Sequence, residues 1–118
     1  MALDTLITQM RKGALEYCVL ALLKDQARYG FEIVQRLSQI DGMLTSEGTM
    51  YPLLGRLRRD GLVESAWQES SSGPPRRYYK LTAGGQRALR GFKDEWTTFR
   101  AAVDMILETG GAHHRTAC

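Results

Sequence analysis

A capped helix with an arginine-bearing side and a glycine stop most constrains how this chain can fold. Ser46 can cap its N-terminus, because a serine oxygen accepts a hydrogen bond from a backbone N–H two or three residues further on. One side carries apolar residues at helical spacing, which are Met50, Leu53, Leu54 and Leu57. Gly61 can end the helix, since glycine takes up the left-handed conformation that other residues avoid. The sequence therefore predicts a helix between Ser46 and Gly61 with one buried side.

The opposite side of this helix is small or cationic, and its members are Gly48, Pro52, Gly55, Arg56 and Arg59. Small residues allow close approach to another surface, and arginine suits a surface that carries phosphate. We interpret the helix as a DNA-recognition helix whose predicted DNA-binding residues are Ser46, Thr49, Tyr51, Arg56 and Arg59. Thr49 and Tyr51 lie on its flanks near the N-terminal end, where a groove-inserted helix contacts base edges or phosphates. A solvated polar face is the alternative interpretation, and Tyr51 can instead be half-buried.

The next segment predicts a β-hairpin that would form a wing beside the helix. Residues 62–69 have the β-branched and aromatic content of a strand, with Val63 and Trp67 on one face. Residues 70–75 are rich in turn formers, and this composition excludes both a helix and a central strand. Residues 76–81 then form the second strand, on which Tyr79 and Leu81 share a face.

The predicted wing carries a cationic edge formed by Arg76, Arg77 and Lys80. We expect Arg76 and Arg77 to contact phosphates, with Gly73 allowing close approach. The alternative is an exposed cationic edge that discourages aggregation between strands. The net charge of the 118 residues is only +3, so the local clustering of arginine and not the total charge favours nucleic acid.

Two earlier helices are predicted. Residues from about Asp4 to Lys24 carry an apolar stripe at helical spacing, interrupted by Gly13 at a cost of roughly 1 kcal/mol relative to alanine. Residues 25–28 are predicted to form a loop. Tyr29 and Gly30 then open a second helix, and its N–H groups can face a phosphate or remain a cap without a ligand. This second helix is predicted to run to about residue 40, with an apolar side formed by Phe31, Ile33, Val34, Leu37 and Ile40.

The last predicted helix, which begins after Thr82, has the apolar pattern of a coiled coil. Steps of four and three residues alternate along Gly85, Leu89, Phe92, Trp96, Phe99, Val103 and Ile106. A helix of about 27 residues is ~40 Å long, which exceeds what a domain of this size can cover. The pattern therefore predicts a homodimer whose contact residues are Leu89, Phe92, Trp96, Phe99, Val103 and Ile106. Symmetry would also pair two copies of Trp96, which with Phe92 and Phe99 could enclose a planar aromatic ligand; ordinary apolar packing is the alternative.

The predicted organisation is a winged helix-turn-helix domain over residues 1–81, a dimerisation helix over 82–109 and a disordered tail over 110–118. The fold class is mainly α with a small β-hairpin. His113, His114 and Cys118 lack the spacing of a metal site, so neither a metal nor a cofactor is expected. No catalytic arrangement is present. We expect neither a signal peptide nor a membrane span, because no signal-peptide h-region follows the N-terminus and no apolar run approaches the ~18 to 20 residues that a span needs. We expect a reduced, cytoplasmic protein.

Four motifs resemble those of PadR-type transcriptional regulators. Residues 29–33 (YGFEI) are similar to the family's YGYEI, and residues 48–54 (GTMYPLL) are similar to GTLYPxL. Residues 58–65 (RRDGLVES) resemble xxGLIES, and residues 76–85 (RRYYKLTAGG) resemble RKYYRLTxxG. The motifs occur in the family's order and at its spacing.

The resemblance implies a winged helix-turn-helix fold and a homodimer built on the C-terminal helix. It also implies bacterial repression at a palindromic operator, often relieved by a small molecule. In the compact branch of the family, aromatic residues of the last helix line a cavity at the dimer interface, and Trp96 matches such a position. A winged-helix adaptor that binds protein and not DNA remains the alternative function.

Overall fold

The computed structural model describes residues 13–40, 43 and 45–110. Within these ranges the helices are α1 (Leu15–Leu22), α2 (Gly30–Ser38), α3 (Glu47–Arg59) and α4 (Ala83–Thr109). The strands are β1 (Arg28–Tyr29), β2 (Val63–Ser70) and β3 (Gly73–Leu81), and they form one antiparallel sheet in the order β1-β3-β2. A mainly helical fold with a small hairpin is therefore confirmed.

The core lies where the first three helices meet the base of the hairpin and the start of α4. Its buried apolar side chains are Val19, Leu20, Leu23, Ile33, Val34, Leu37, Met50, Leu54, Leu57, Val63, Tyr79, Leu81 and Leu89. The predicted buried side of α3 is confirmed, since Met50, Leu54 and Leu57 are fully buried and Leu53 is half-buried against the same core. The predicted apolar side of the second helix is wrong for Phe31 and Ile40, which are exposed. Phe31 lies outside the stripe of α2 that faces the core, and Ile40 follows the end of α2 at Ser38.

Helix α1 is shorter than predicted. Gly13 has a φ of +85°, and α1 runs only from Leu15 to Leu22. A continuous helix through Gly13 to Lys24 is therefore wrong, because a left-handed residue interrupts the helical hydrogen-bond pattern. The predicted start at Asp4 lies outside the described residues.

The predicted loop before α2 ends in a short strand. Arg28 and Tyr29 pair with β3, which makes β3 the central strand. The buried Arg28 side chain donates from Nε to the Leu22 carbonyl at 2.7 Å and from Nη1 to Glu32 at 2.9 Å. Arg28 thus joins the end of α1 to the first turn of α2, and this position holds the start of α2 against the sheet.

The turn of the wing is tighter than predicted. Strand β3 already includes Gly73, Pro74 and Pro75, so the predicted loop over 70–75 and the predicted start of the strand at residue 76 are wrong. A bulge places the two prolines opposite Glu69. Strand β1 does not extend this far, so β3 has a single neighbour there and the missing proline N–H groups break no second ladder.

Helix α4 begins in the core and then leaves it. Its cap, Thr82, accepts from the Gly85 N–H at 3.0 Å and donates its hydroxyl to the Gly61 carbonyl at 2.7 Å, which ties α4 to the end of α3. Gly110 ends the helix in the left-handed conformation. The rest of the predicted tail, 111–118, lies outside the described residues. In the part of the chain that the structure describes, no helix is long and apolar enough to cross a membrane.

Candidate nucleic-acid interface

The first turn of α3 is built by its cap. Ser46 Oγ accepts from the Thr49 N–H at 3.2 Å, as predicted, and its hydroxyl lies 3.3 Å from Thr49 Oγ1. Both residues are exposed, together with Glu47 and Gly48. The Ser46 side chain is therefore engaged in capping, and the parts predicted for Ser46 and Thr49 in DNA binding stay predictions.

The cationic residues of α3 do not form one patch. Arg56 Nη2 lies 3.5 Å from Glu16 Oε1 of α1, with the arginine side chain 49% exposed. Arg59 is exposed and extends back along the helix, since a Cβ on Gly55 would lie 3.6 Å from its Nη1. The structure therefore directs Arg56 towards α1 and leaves Arg59 on the outer side.

Tyr51 packs on the first residue of α2. A Cβ atom on the buried Gly30 would lie 2.5 Å from Tyr51 Cε1 and 2.9 Å from its hydroxyl oxygen, so only glycine fits beneath this ring. Burial raises the pKa of the Tyr51 hydroxyl, and the negative charge of Glu47 adds to the shift. In its protonated form this hydroxyl can donate to a phosphate.

Two arginines of the wing lie over aromatic rings. The guanidinium carbon of Arg76 is 4.4 Å from the centre of the Tyr29 ring, and that of Arg77 is 5.1 Å from the centre of the Trp67 ring. Cation–π contacts of this kind restrict a long side chain while leaving its N–H edge available. Lys80 is exposed and lies directly opposite Glu64 in the register of β2 and β3.

These residues meet in a shallow cavity of about 220 Å³, here named the wing notch, between α2, α3 and the hairpin. It is lined by Tyr29, Gly30, Tyr51, Trp67, Pro75, Arg76 and Arg77. Five of the seven were predicted DNA-binding residues, and Trp67 and Pro75 were missed. The predicted residues Ser46, Thr49, Arg56, Arg59, Gly73 and Lys80 lie outside the notch lining. The pairing of Trp67 with Arg77 follows from the hairpin register, which would have identified Trp67 had the turn been placed correctly.

A second candidate site is an aromatic ladder along α4, formed by Tyr17, Phe92, Trp96 and Phe99. Tyr17 and Phe92 stack with ring centres 4.2 Å apart, Phe92 and Trp96 are 5.6 Å apart, and Trp96 and Phe99 are 6.2 Å apart. The sequence identified the three α4 residues but not Tyr17 of α1. Among the described residues, no group of three or more His, Cys, Asp or Glu side chains could hold a metal.

Helices α2 and α3, the adjoining hairpin and the long final helix define a winged helix-turn-helix protein. A model of the transcriptional regulator PadR-like family matches residues 19–91, which is more than half of the chain. The chain belongs to the PadR-like family of transcriptional regulators, and the resemblance seen in the four motifs is confirmed.

Solved structures and curated relatives agree with this family. A PadR-like transcription factor from Bacteroides fragilis is 43% identical with a TM-score of 0.71, over 87% of this chain and 99% of that one. A PadR family regulator from Eggerthella lenta is 34% identical with a TM-score of 0.79, over 90% and 92% of the two chains. A transcriptional regulator from Mycobacterium tuberculosis is 33% identical over 109 residues, or 92% of this chain and 94% of its own. Members of the family are DNA-binding transcription regulators and not enzymes, as the sequence predicted.

Proposed function

We propose that this regulator is a homodimeric repressor that binds an inverted-repeat operator and is released by a small aromatic ligand. The observation that carries the proposal is the apolar seam of α4, which leaves the core and is open to solvent. Phe99 is 62% exposed and Ile106 is 54% exposed. Surface of this kind along a helix favours a protein partner, and a second copy of the same seam is self-complementary about a two-fold axis.

Dimerisation would set the spacing of the DNA-binding elements. Two symmetry-related α3 helices can enter successive major grooves about one DNA turn apart, ~34 Å, which requires an inverted repeat. In this arrangement Thr49 and Tyr51 approach the major groove and the wing lies along the neighbouring backbone. Arg76 and Arg77, held over their aromatic rings, bind phosphates there.

Replacing the wing arginines tests the DNA-binding part of the proposal. For Arg76→Ala or Arg77→Ala we expect weaker binding to operator and unrelated DNA alike, because phosphate contacts carry no sequence information. The slope of log affinity against log salt should fall in magnitude by about 1 for each phosphate that is no longer neutralised. The measurement is a gel shift against the DNA upstream of the protein's own gene at several salt concentrations.

Arg90→Ala is the matched control for the wing substitutions, since Arg90 is an exposed arginine on α4 outside the wing notch. Its salt slope should equal that of the natural chain. Unchanged affinity of both wing variants at every salt concentration would contradict the assignment of Arg76 and Arg77.

The aromatic ladder supports release by an aromatic ligand. Trp96, 39% exposed, is in ring contact with Phe92, which stacks on Tyr17 of α1. The neighbouring Glu16 is ion-paired with Arg56 of α3. A planar ligand between two copies of Trp96 would therefore disturb a continuous set of contacts that reaches α3, and this gives the ligand a physical means of changing the position of α3.

Fluorescence of Trp96 tests for the ligand. The chain has two tryptophans, so in a Trp67→Phe variant the emission comes from Trp96 alone. Planar cationic dyes or phenolic acids are expected to quench this emission and, at the same concentrations, to reduce the amount of DNA shifted in a gel. Trp96→Phe in the otherwise natural chain is the control, in which the dyes should no longer release DNA. The absence of any quenching across a broad panel would count against the ligand site.

A further inference from the structure

Trp67 is an exposed indole with no assigned role. It is 63% exposed on β2, although it lies on the same face of the sheet as the buried Val63. This face of the sheet is buried at Val63 and exposed at Trp67, because the hairpin extends past the helices that cover its base. Trp67 therefore faces the wing notch, across from Tyr51 of α3.

The chemistry of the wing notch identifies its occupant. Its lining contains two guanidinium groups and no carboxylate, so the occupant is anionic. The remaining surface is aromatic or prolyl, from Trp67, Tyr51 and Pro75 among others, so the occupant also presents apolar faces. A nucleic-acid backbone meets both requirements. Its phosphates are anionic, and they alternate with sugars whose C–H groups can pack on aromatic rings. Tyr51 of α3 also lines the notch, so the notch adjoins the helix that is proposed to enter the major groove.

The position of Arg77 adds a geometric argument. Its guanidinium group lies over the Trp67 ring at 5.1 Å, and the two residues are directly paired across β2 and β3. A guanidinium group stacked on an indole keeps its N–H donors pointing outwards in its own plane. The indole therefore restricts the direction from which Arg77 can bind a phosphate.

We propose that Trp67 is a DNA-contact residue of the wing. Its indole packs against a deoxyribose of one operator strand, and Arg77, held over the same ring, binds an adjoining phosphate. The proposal rests on the proposed function, since it requires the wing to lie along DNA.

Affinity measurements with the full-length chain test the assignment of Trp67. Trp67→Ala is expected to weaken binding to the duplex from upstream of the protein's own gene by about tenfold, which is near the lower end of the effect of removing an aromatic ring that stacks on a base of single-stranded nucleic acid. Trp67→Phe should retain most of the affinity. Because the indole orients Arg77, the double variant with Arg77→Ala should show a smaller reduction in affinity than the product of the two single reductions. Gln86→Ala is the control, because Gln86 is exposed on α4 and lies outside the wing notch.

A spectroscopic arm reports on Trp67 directly. In a Trp96→Phe variant, Trp67 is the only tryptophan. Addition of the duplex, followed in parallel by the anisotropy of a DNA label, should change the Trp67 emission and reduce its quenching by acrylamide. A merely structural role for Trp67 would leave both signals unchanged.

The outcomes separate this proposal from the repressor proposal. If the natural chain binds the duplex and Trp67→Ala binds equally well, the role of Trp67 is overturned while DNA binding stands. If the natural chain binds no duplex even at low salt, both proposals fail. If Trp67 becomes protected from acrylamide as protein concentration rises without DNA, its occupant is a second copy of the chain, and the DNA contact is again overturned.

Discussion

Val103→Glu is expected to separate the dimer into monomers and to abolish operator binding. Val103 lies on the seam of α4 and is 36% exposed in the single chain, so a second copy would bury most of its remaining surface. The two-fold axis would introduce two carboxylates into one apolar contact. Burying each carboxylate costs roughly 2 kcal/mol, so the dissociation constant of the dimer would rise about 1000-fold. One protomer reaches only one half-site, so operator affinity should fall with the dimer.

The measurement is molar mass by light scattering or sedimentation, with a gel shift on the same samples. Ala101→Glu is the matched control, because position 101 lies on the outer side of α4, away from the seam, and is exposed. It adds the same charge and should remain dimeric. Truncation after Phe92 should reproduce the monomer, since Leu89 is the last buried residue of α4. A stable dimer in either Val103→Glu or the truncated chain would refute the prediction that the seam of α4 forms the dimer contact.

Gly85→Ala is expected to destabilise the protein strongly. A Cβ atom at this position would lie within hard contact of the Leu62 carbonyl oxygen and 2.6 Å from Leu81 Cδ1. The carbonyl belongs to the backbone, and it already accepts from the Thr82 N–H at 3.1 Å, so it cannot move without breaking that hydrogen bond. Helix α4 would have to move off the hairpin base, at a cost of about 3 kcal/mol and a fall in melting temperature of roughly 10 °C.

Gly91→Ala provides the matched control within the same helix. An added Cβ at Gly91 meets nothing within 4 Å, and the residue is exposed on the outer side of α4. This substitution should stabilise the protein by about 0.5–1 kcal/mol, because alanine loses less backbone entropy than glycine when it joins a helix. Thermal unfolding of the two variants at equal protein concentration measures both effects. Equal melting temperatures would show that α4 does not pack on the hairpin base as described.

Features that depend on a few neighbouring residues were predictable from the sequence. Ser46 caps α3 and Thr82 caps α4, as expected, since both use a donor three residues away. Gly61 and Gly110 both have positive φ values where their helices end. Gly13 also has a positive φ, but the residues around it follow a helical pattern, so the sequence indicated only a weak point in a continuous helix.

The sequence by itself determined the class of fold, the capped helix α3 with its apolar side, the apolar pattern along α4 and the family. All of these follow from periodicity and from motifs read along the chain. The tertiary structure alone decided how α1 and β1 join the site: the pairing of Arg28 and Tyr29 with β3, the stacking of Tyr17 on Phe92, and the contact of Glu16 with Arg56. It also placed Tyr51 on Gly30. The physical reason is that these contacts join residues far apart in the chain, so they depend on strand register and helix packing, which no local pattern of residues specifies.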